Sequence, residues 1–223
     1  MRTLYLFLVA LLLQQTAAAQ KRSPIDQQIT TRYYQGAWFA KLNIASMLDP
    51  LTPTLQPGIE YKISRRLSTE VLFGIPVIGH NHSQVTDSTY YRYYKVKGEL
   101  RFYPADRFFY VGPQLFFTNR RQSKYDGVVR GQDGRDYQYR YAELNRNIFG
   151  FIFKAGRIFP LSEKWNIDGS FGFGPRLVDL KLNATSLNQT QNFVGSMWER
   201  KDRIGTYVGI HVEITAKLSY QLF

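Results

Sequence analysis

Three histidines are the side chains in this sequence best suited to catalysis or to metal binding. His80 and His82 are separated by one residue and are followed by Ser83. His211 lies near the C-terminal end. Hydrolases and acyltransferases pair a histidine with a serine or a carboxylate, and a His-x-His pair can supply two ligands to a metal. Because no third ligand is evident and the paired histidines fall in a polar stretch, we expect no catalytic residue, no metal and no other cofactor.

His211 also belongs to a regular pattern that covers residues 204–220. Val208, Ile210 and Val212 alternate there with polar or ionisable residues, among them His211 and Glu213. A period of two predicts a β-strand whose two faces meet different environments. One face is apolar and would contact lipid or a protein core, while the other carries charge.

The same alternation recurs along the chain and predicts eight strands. They lie near residues 37–46, 58–64, 68–76, 89–103, 108–118, 146–158, 165–175 and 204–220. Long connections (49–57, 79–88, 119–145, 179–203) alternate with short ones (64–67, 104–107, 160–164). Within the fifth strand, Pro113 predicts a bulge beside Gly112. The sixth strand has Phe151 on one face and Ile152 on the other, which leaves its register open.

The polar faces of these strands carry charges of both signs. They are Lys41, Glu60, Lys62, Glu70, Lys95, Lys97, Glu99, Arg101, Lys154, Asp168, His211, Glu213 and Lys217. An eight-stranded barrel has an interior just wide enough for its side chains. Because an unpaired buried charge is expensive, these residues are expected to pair across the lumen and to plug it. A gated narrow pore is the alternative for the same residues.

Three features favour lipid rather than a protein core outside this barrel. Short turns alternating with long loops are typical of outer-membrane barrels, and so is a polar interior. Aromatic residues gather at both ends of the strands, as in the girdles of such barrels. The turn-side group is Trp38, Phe102, Phe109, Phe159, Trp165 and Tyr220, and the loop-side group is Phe73, Tyr94, Phe117, Phe149 and Phe173.

The N-terminal residues have the features of an export signal. Arg2 precedes the apolar run 4–13, which is too short to span a membrane, and three alanines follow at 17–19. We expect a signal peptide at 1–19, a periplasmic arm at 20–35 and an outer-membrane barrel at 36–223. The chain has no cysteine and a formal net charge of +12. With an export signal, that charge points to an anionic membrane surface or glycan rather than to nucleic acid.

The longest connection, 119–145, is rich in arginine and tyrosine. Asp133-Gly134 within it is a hairpin turn signal, so strands five and six are predicted to continue as a protruding hairpin. Arg and Tyr are favoured at binding surfaces. The candidate interaction surface is Arg120, Arg121, Lys124, Arg130, Arg135, Tyr137, Tyr139, Arg140 and Tyr141. Its expected partner is lipopolysaccharide, a glycan or a surface protein.

The signal peptide, the eight strands and the terminal segment 217–223 together resemble the small eight-stranded outer-membrane barrels of the OmpA/OmpX type. The resemblance implies an all-β, antiparallel up-and-down transmembrane barrel with short periplasmic turns and long extracellular loops. It also implies that Tyr220 and Phe223 belong to the signal read by the barrel-assembly machinery. Phe223 departs from the pattern because it is out of phase with Tyr220.

We therefore expect a monomeric outer-membrane barrel with a structural or surface-interaction role. The alternatives are a narrow channel and a lipid-modifying enzyme that uses the three histidines. A third alternative is a secreted lipocalin-like ligand binder, because Gly36-Ala-Trp38 resembles the Gly-x-Trp of lipocalins. The charged inner face and the alternating loop lengths count against that third alternative.

Overall fold

The computed structural model describes residues 35–47, 53–76, 91–104, 108–131, 133–190 and 202–222. The predicted signal peptide, most of the predicted arm, His80, His82, Ser83 and Phe223 lie outside the described residues. Ten strands and one short 3-10 helix make up the described fold. The strands are β1 Trp38–Asn43, β2 Thr54–Lys62, β3 Leu67–Pro76, β4 Tyr91–Phe102, β5 Phe109–Arg130, β6 Asp136–Pro160, β7 Trp165–Thr185, β8 Asn188–Thr190, β9 Asp202–Arg203 and β10 Gly205–Gln221, and the helix is Ala45–Met47.

Eight long strands form a closed antiparallel ring. Strands β1 to β6 each pair with the next strand along the chain, and β10 closes the ring between β7 and β1. The two short strands add to the rim: β8 pairs with β6, and β9 pairs with β5 in parallel. The predicted all-β, up-and-down, eight-stranded barrel is confirmed. The described residues contain no helix long and apolar enough to cross a membrane.

Strand registers turn the apolar faces outward throughout the barrel. The largest exposed fractions belong to Ile210 at 77% and Ile214 at 74% on β10. The structure also settles the register of the sixth strand. Phe149, Phe151 and Phe153 point outward, whereas Ile152 is buried in the lumen. A one-residue slip would exchange these faces, so the inward charges of the neighbouring strands hold β6 in this register.

Several strand ends differ from the sequence-based expectation. The predicted loop 49–57 is shorter, because β2 begins at Thr54 and Pro57 pairs opposite Leu42. The β2–β3 ladder has a gap at Gln56 and Pro57, between Leu55 opposite Ile75 and Gly58 opposite Leu72, so a proline without an amide hydrogen fits the strand there. The seventh strand is longer than predicted, because β7 continues to Thr185 rather than ending near 175. Its extension pairs with the lengthened β6, as shown by Tyr141 opposite Thr185.

The predicted bulge at Pro113 is wrong. Glu99 pairs with Gln114 on one side of it and Phe102 pairs with Val111 on the other, in an unbroken register. Pro113 itself pairs opposite Phe153 of β6, again without a shift. The missing amide hydrogen is accommodated by a gap in the β4–β5 ladder rather than by an extra residue.

Gly112 lets β4 and β5 approach closely beside Pro113. A Cβ atom placed on Gly112 would lie 1.8 Å from the carbonyl oxygen of Leu100, which is backbone and has no room to move. We expect Gly112→Ala to lower the free energy of unfolding by about 1–3 kcal/mol, the usual cost of overpacking. Gly98→Ala is the matched control, because a Cβ atom placed on Gly98 would meet nothing within 4 Å.

The measurement for both glycine variants is urea unfolding of the barrel in phospholipid bilayers. A Gly112→Ala protein as stable as the Gly98→Ala protein would contradict the close approach of β4 and β5.

Candidate functional sites: the charge network and the β5–β6 hairpin

A network of buried charges crosses the lumen of the barrel. Six cations and five carboxylates among the described residues are at most 8% exposed: Lys41, Lys62, Lys97, Arg101, Lys154, Lys217, Glu60, Glu70, Glu99, Asp168 and Glu213. They come from seven of the eight ring strands, and the neutral side chains of Tyr110 and Gln114 add the eighth, β5. The network therefore ties all eight strands to one another through side chains.

Arg101 is the centre of this network and is fully buried. Its Nη1 donates to Asp168 Oδ2 at 2.7 Å and to Glu60 Oε2 at 3.0 Å. Its Nη2 lies 2.6 Å from Glu70 Oε2, and its Nε donates to Glu99 Oε1 at 2.8 Å. The planar guanidinium presents several donors in a fixed fork, which allows one side chain to serve four carboxylates. The ring of Tyr110 covers the guanidinium, with 4.3 Å from Cζ to the ring centroid.

Three of these carboxylates are close enough together to resemble a metal site. Glu60, Glu70 and Asp168 are buried, and each offers an oxygen within 4.8 Å of the others. The ammonium group of Lys41 lies among them, 2.5 Å from Glu60, 3.0 Å from Glu70 and 2.7 Å from Asp168. Its charge compensates the three carboxylates, and its ammonium group donates to Asp168 Oδ2, although Glu70 Oε2 accepts no hydrogen bond. The protein thus supplies its own cation where the carboxylates converge.

Lys217, Lys154 and Lys97 extend the network toward the loop end of the barrel, whereas Lys62 lies at the turn end, 3.4 Å from Glu60. Lys217 pairs with Glu70, and Lys154 Nζ donates to Glu99 Oε2 at 3.0 Å. Lys97 Nζ donates to Glu213 Oε1 at 3.1 Å. Each buried carboxylate has at least one cation within 4.0 Å, so the charges compensate each other in a region that water does not reach.

Neutral side chains that the sequence analysis did not single out complete the network. Tyr110 donates its hydroxyl to Asp168 Oδ1 at 2.6 Å, and Tyr103 donates to Glu60 Oε1 at 3.0 Å. Gln114 bridges Lys154 and Glu213. The alternation of β5 could have placed Tyr110 and Gln114 inside. Tyr103 follows the last residue of β4, but it has the parity of the inward residues Glu99 and Arg101, so the alternation of the predicted strand 89–103 could have placed it inside as well.

The lumen is closed by apolar side chains at the turn end of the barrel. Ala37, Phe39, Tyr103, Tyr110 and Ile158 form one buried cluster below the charges. Leu72 and Ile152 are also buried in the lumen, where Leu72 pairs opposite Lys97 and Ile152 pairs opposite Gln114.

Lys95 and His211, which the sequence placed in the charge set, mark the upper limit of the lumen. Both are half-buried rather than buried. They contact the buried ring of Phe116, Lys95 through its ammonium group at 5.1 Å and His211 through its ring at 4.5 Å between centroids. His211 Nε2 lies 3.6 Å from Glu213 Oε2.

The β5–β6 hairpin rises beyond the barrel and has a small core of its own. Its register is constant as far as Arg130 opposite Asp136, although the pairing is interrupted at Asp126, which has a φ of +45°. Gly134 occupies the turn with a φ of +79°. Tyr139, Leu144 and Leu180 are buried together with Val129 and Ala142. The segment 119–145 is therefore a packed extension of the sheet rather than a solvated loop.

This core changes which residues of the candidate interaction surface are available to a partner. Tyr139 is 3% exposed and belongs to the hairpin core, so its place in that surface is corrected. Arg120 faces the interior and lines a small pocket with Arg146, and Lys124 is half-buried. Several of the others have partners within the hairpin.

Those partners lie near the hairpin turn and on its flank. Arg130 Nε donates to Asp136 Oδ1 at 3.0 Å, and Tyr137 donates its hydroxyl to Asp133 Oδ2 at 2.7 Å. Tyr141 donates to Glu143 and stacks on Tyr125 at 5.1 Å between ring centroids. Arg121, Arg135 and Arg140 are exposed, and Arg135 Nε lies 3.9 Å from Asp133.

The pKa of Asp133 provides a test of the hydrogen bonds at the hairpin turn. The hydrogen bond from the Tyr137 hydroxyl, together with the backbone N–H of Arg135, lowers the pKa of the exposed Asp133 carboxyl. We expect Tyr137→Phe to raise the pKa of Asp133 toward its ordinary value, because the ionised form loses its main donor. Carboxyl chemical shifts followed by NMR as a function of pH measure the change. Tyr125→Phe is the control, and an unchanged Asp133 pKa in Tyr137→Phe would contradict the hydrogen bond.

The fold and the network define a class of protein: a closed up-and-down β-barrel with an apolar outer wall and a charge-filled lumen. Residues 27–221 match the family DUF3575, described as a protein of unknown function, and the chain belongs to that family. No curated protein matches the sequence. Among solved structures, the chain is similar to the crystal structure of CarO from Acinetobacter baumannii, at 11% identity and a TM-score of 0.42. The match covers 85% of this chain and 97% of that chain.

Proposed function

We propose that this protein is an integral outer-membrane barrel with a closed interior and a structural and surface-interaction role. The observation that carries the proposal is the inversion of polarity between its two faces. Phe153, Phe173 and Ile210 are 51–77% exposed on the outer wall, whereas Arg101 and Lys154 are fully buried inside. Water would favour the opposite arrangement, and lipid favours this one. A lipocalin-like ligand binder would need an apolar lumen instead.

The height of the apolar wall suits an outer membrane. Phe149 to Phe159 spans ten residues of β6, about 34 Å along the strand and about 25 Å along the axis at a strand tilt near 40°. Aromatic pairs lie at both ends of the wall. Trp165 stacks on Tyr220 at the turn end, with 4.8 Å between ring centroids. Tyr94 stacks on Phe117 toward the loop end at 5.9 Å. Such pairs would anchor the barrel at the two interfaces.

Two measurements test this placement. Fractionation should recover the protein with outer membranes, and the folded barrel should change its mobility on a gel after boiling. Recovery as a soluble periplasmic protein without a mobility change would overturn the proposal.

The packed lumen supports a non-conducting role. Arg101 and its four carboxylates fill the central section, and the cluster around Phe39 closes the turn end. We expect purified protein to give no stepwise ion conductance in planar lipid bilayers at about ±100 mV, a potential in the physiological range. Reproducible single-channel steps would favour the narrow-channel alternative. Phe39→Ala, which opens the apolar cluster, serves as the variant most suited to reveal a latent pore.

The hairpin is the element that we propose for surface interaction. Its core holds it upright, and Arg135 and Arg140 remain exposed near its tip. Rigid presentation of arginine lowers the entropic cost of binding a glycan or a surface protein. The test replaces both arginines with serine and compares binding of whole cells to a glycan panel. The matched control is Arg65→Ser/Arg66→Ser in the β2–β3 turn, and equal binding by both variants would contradict the proposal.

Two further parts of the proposal concern biogenesis and assembly. We place Tyr220 and the last strand in the signal for the barrel-assembly machinery, and we propose that the mature barrel is a monomer. The catalytic alternative is tested by mass spectrometry of lipid A in cells that carry His80, His82 and His211 substitutions.

A further inference from the structure

We propose that the outer wall carries a binding row for the phosphate groups of an anionic outer-leaflet glycolipid. The row consists of Arg92 on β4, Arg121 on β5 and Lys181 on β7. This inference rests on the membrane placement proposed above, because it requires the row to lie beside lipid headgroups.

The strand registers bring the three cations into one line. Arg92 pairs opposite Arg121, Arg121 pairs opposite Asn145, and Asn145 pairs opposite Lys181. All three cations are exposed and lie on the outer face, which alternation assigns to them. Neighbouring strands are about 4.8 Å apart, so the row extends about 15 Å around the wall.

The row lies at the level where apolar contacts give way to polar ones. Two outward steps below it, Val96, Phe117, Phe149 and Leu177 form an apolar row across the same four strands. The row between them holds Tyr94, Asn119, Asn147 and Asp179. Asn119 donates both to Asn147 of this row and to Asn145 of the cation row. Two steps correspond to about 14 Å along a strand and about 10 Å along the axis. At a strand tilt near 40° the row climbs by about 9 Å along the axis from one end to the other, and phosphate groups attached directly above acyl chains would lie within this range of heights.

The arrangement of the cations calls for an external anion. Like charges directly opposite each other on paired strands are destabilising, and Arg92 and Arg121 are such a pair. Within the described part of the chain, none of the three cations makes an ion pair or a hydrogen bond through its side chain. The nearest rows hold Glu143 and Asp179, and those carboxylates accept hydrogen bonds from Tyr141 and Thr206. A phosphate group bound to the row would relieve the repulsion and make charge-assisted hydrogen bonds.

The test compares binding of diphosphoryl lipid A and of chemically dephosphorylated lipid A to the barrel in phosphatidylcholine nanodiscs. We expect wild-type protein to bind the diphosphoryl form at least about tenfold more tightly, because each cation near an anionic surface strengthens attachment. The triple variant Arg92→Gln/Arg121→Gln/Lys181→Gln should lose this preference. The matched control Arg65→Gln/Arg157→Gln/Lys164→Gln removes three exposed cations at the turn end and should keep it.

Each outcome decides a separate point. Equal binding of both lipids by wild-type protein would contradict the proposal that the row binds phosphate groups. An unchanged preference in the triple variant would contradict it as well. Displacement of lipid A by millimolar inorganic phosphate would contradict a glycolipid as the ligand and would indicate free phosphate instead. A wild-type protein that fails to insert into bilayers, with no mobility change on boiling, would instead contradict the membrane placement. The wild-type comparison decides the question even if the triple variant fails to fold.

Discussion

Replacing Arg101 with methionine is expected to lower the free energy of unfolding by about 3–5 kcal/mol, the usual cost of breaking a buried ion pair from one side. The side chain is 0% exposed and serves Asp168, Glu60 and Glu99 by hydrogen bonds and Glu70 by an ion pair. Methionine fills a similar volume but leaves these buried carboxylates with fewer cations. Lysine should restore only part of the loss, because an ammonium group cannot reach four carboxylates from one position.

The measurement for Arg101 is urea unfolding in phospholipid bilayers, read by the mobility difference between folded and unfolded protein. Arg157→Met is the control, because Arg157 is exposed on the outer wall. A double-mutant cycle with Asp168→Asn makes the test specific. Since the two side chains contact at 2.7 Å, the double variant should lose less stability than the sum of the single variants, with a coupling of about 0.5–3 kcal/mol. Additive losses, or an Arg101→Met protein as stable as the control, would contradict the network.

Replacing Ile210 with arginine is expected to lower the stability of the inserted barrel by about 1–3 kcal/mol. Arginine costs about 2–4 kcal/mol at the bilayer midplane and less toward the interfaces, and Ile210 lies between the middle of the apolar wall and its loop-side end. Ile210 is 77% exposed on β10. In water, a surface substitution of this kind normally changes stability by no more than about 0.5 kcal/mol. The variant therefore separates a wall that faces lipid from a wall that faces water.

Leu187→Arg is the matched control for Ile210→Arg. Leu187 is also apolar and 46% exposed, but it follows β7 in the extension beyond the apolar wall. We expect it to unfold in bilayers at the same urea concentration as the wild type. Equal stability of both variants would argue that Ile210 faces water and would return the lipocalin-like alternative to consideration.

The two substitutions probe opposite faces of one wall. Arg101 is a cation that the lumen requires, and an arginine at position 210 is a cation that the outer wall should reject. Both substitutions should destabilise the barrel, one by removing a cation and the other by adding one. This difference between the two faces follows from alternation, because adjacent residues of a strand point to opposite sides. A soluble protein with its core inside the barrel would show neither effect at these magnitudes.

Alternation along the sequence determined the architecture of this protein. A period of two over segments such as 94–102 and 208–220 predicted the strands, and it predicted which residues face outward and which charged residues face inward. Long and short connections in turn gave the up-and-down order. These features can be predicted from the sequence because the alternation of apolar and polar residues is visible within each strand by itself.

Only the tertiary structure decided how strands and charges combine. Alternation placed Arg101 inside but could not select its four partners, which come from β2, β3, β4 and β7 and depend on the registers between strands. Alternation likewise gives Tyr103 the parity of the inward residues but does not show that its hydroxyl donates to Glu60. Tyr139 was assigned to a surface because its segment is polar, although packing against Leu144 and Leu180 buries it. The row of Arg92, Arg121 and Lys181 likewise exists only in three dimensions, since residues 89 positions apart in the chain align through strand pairing.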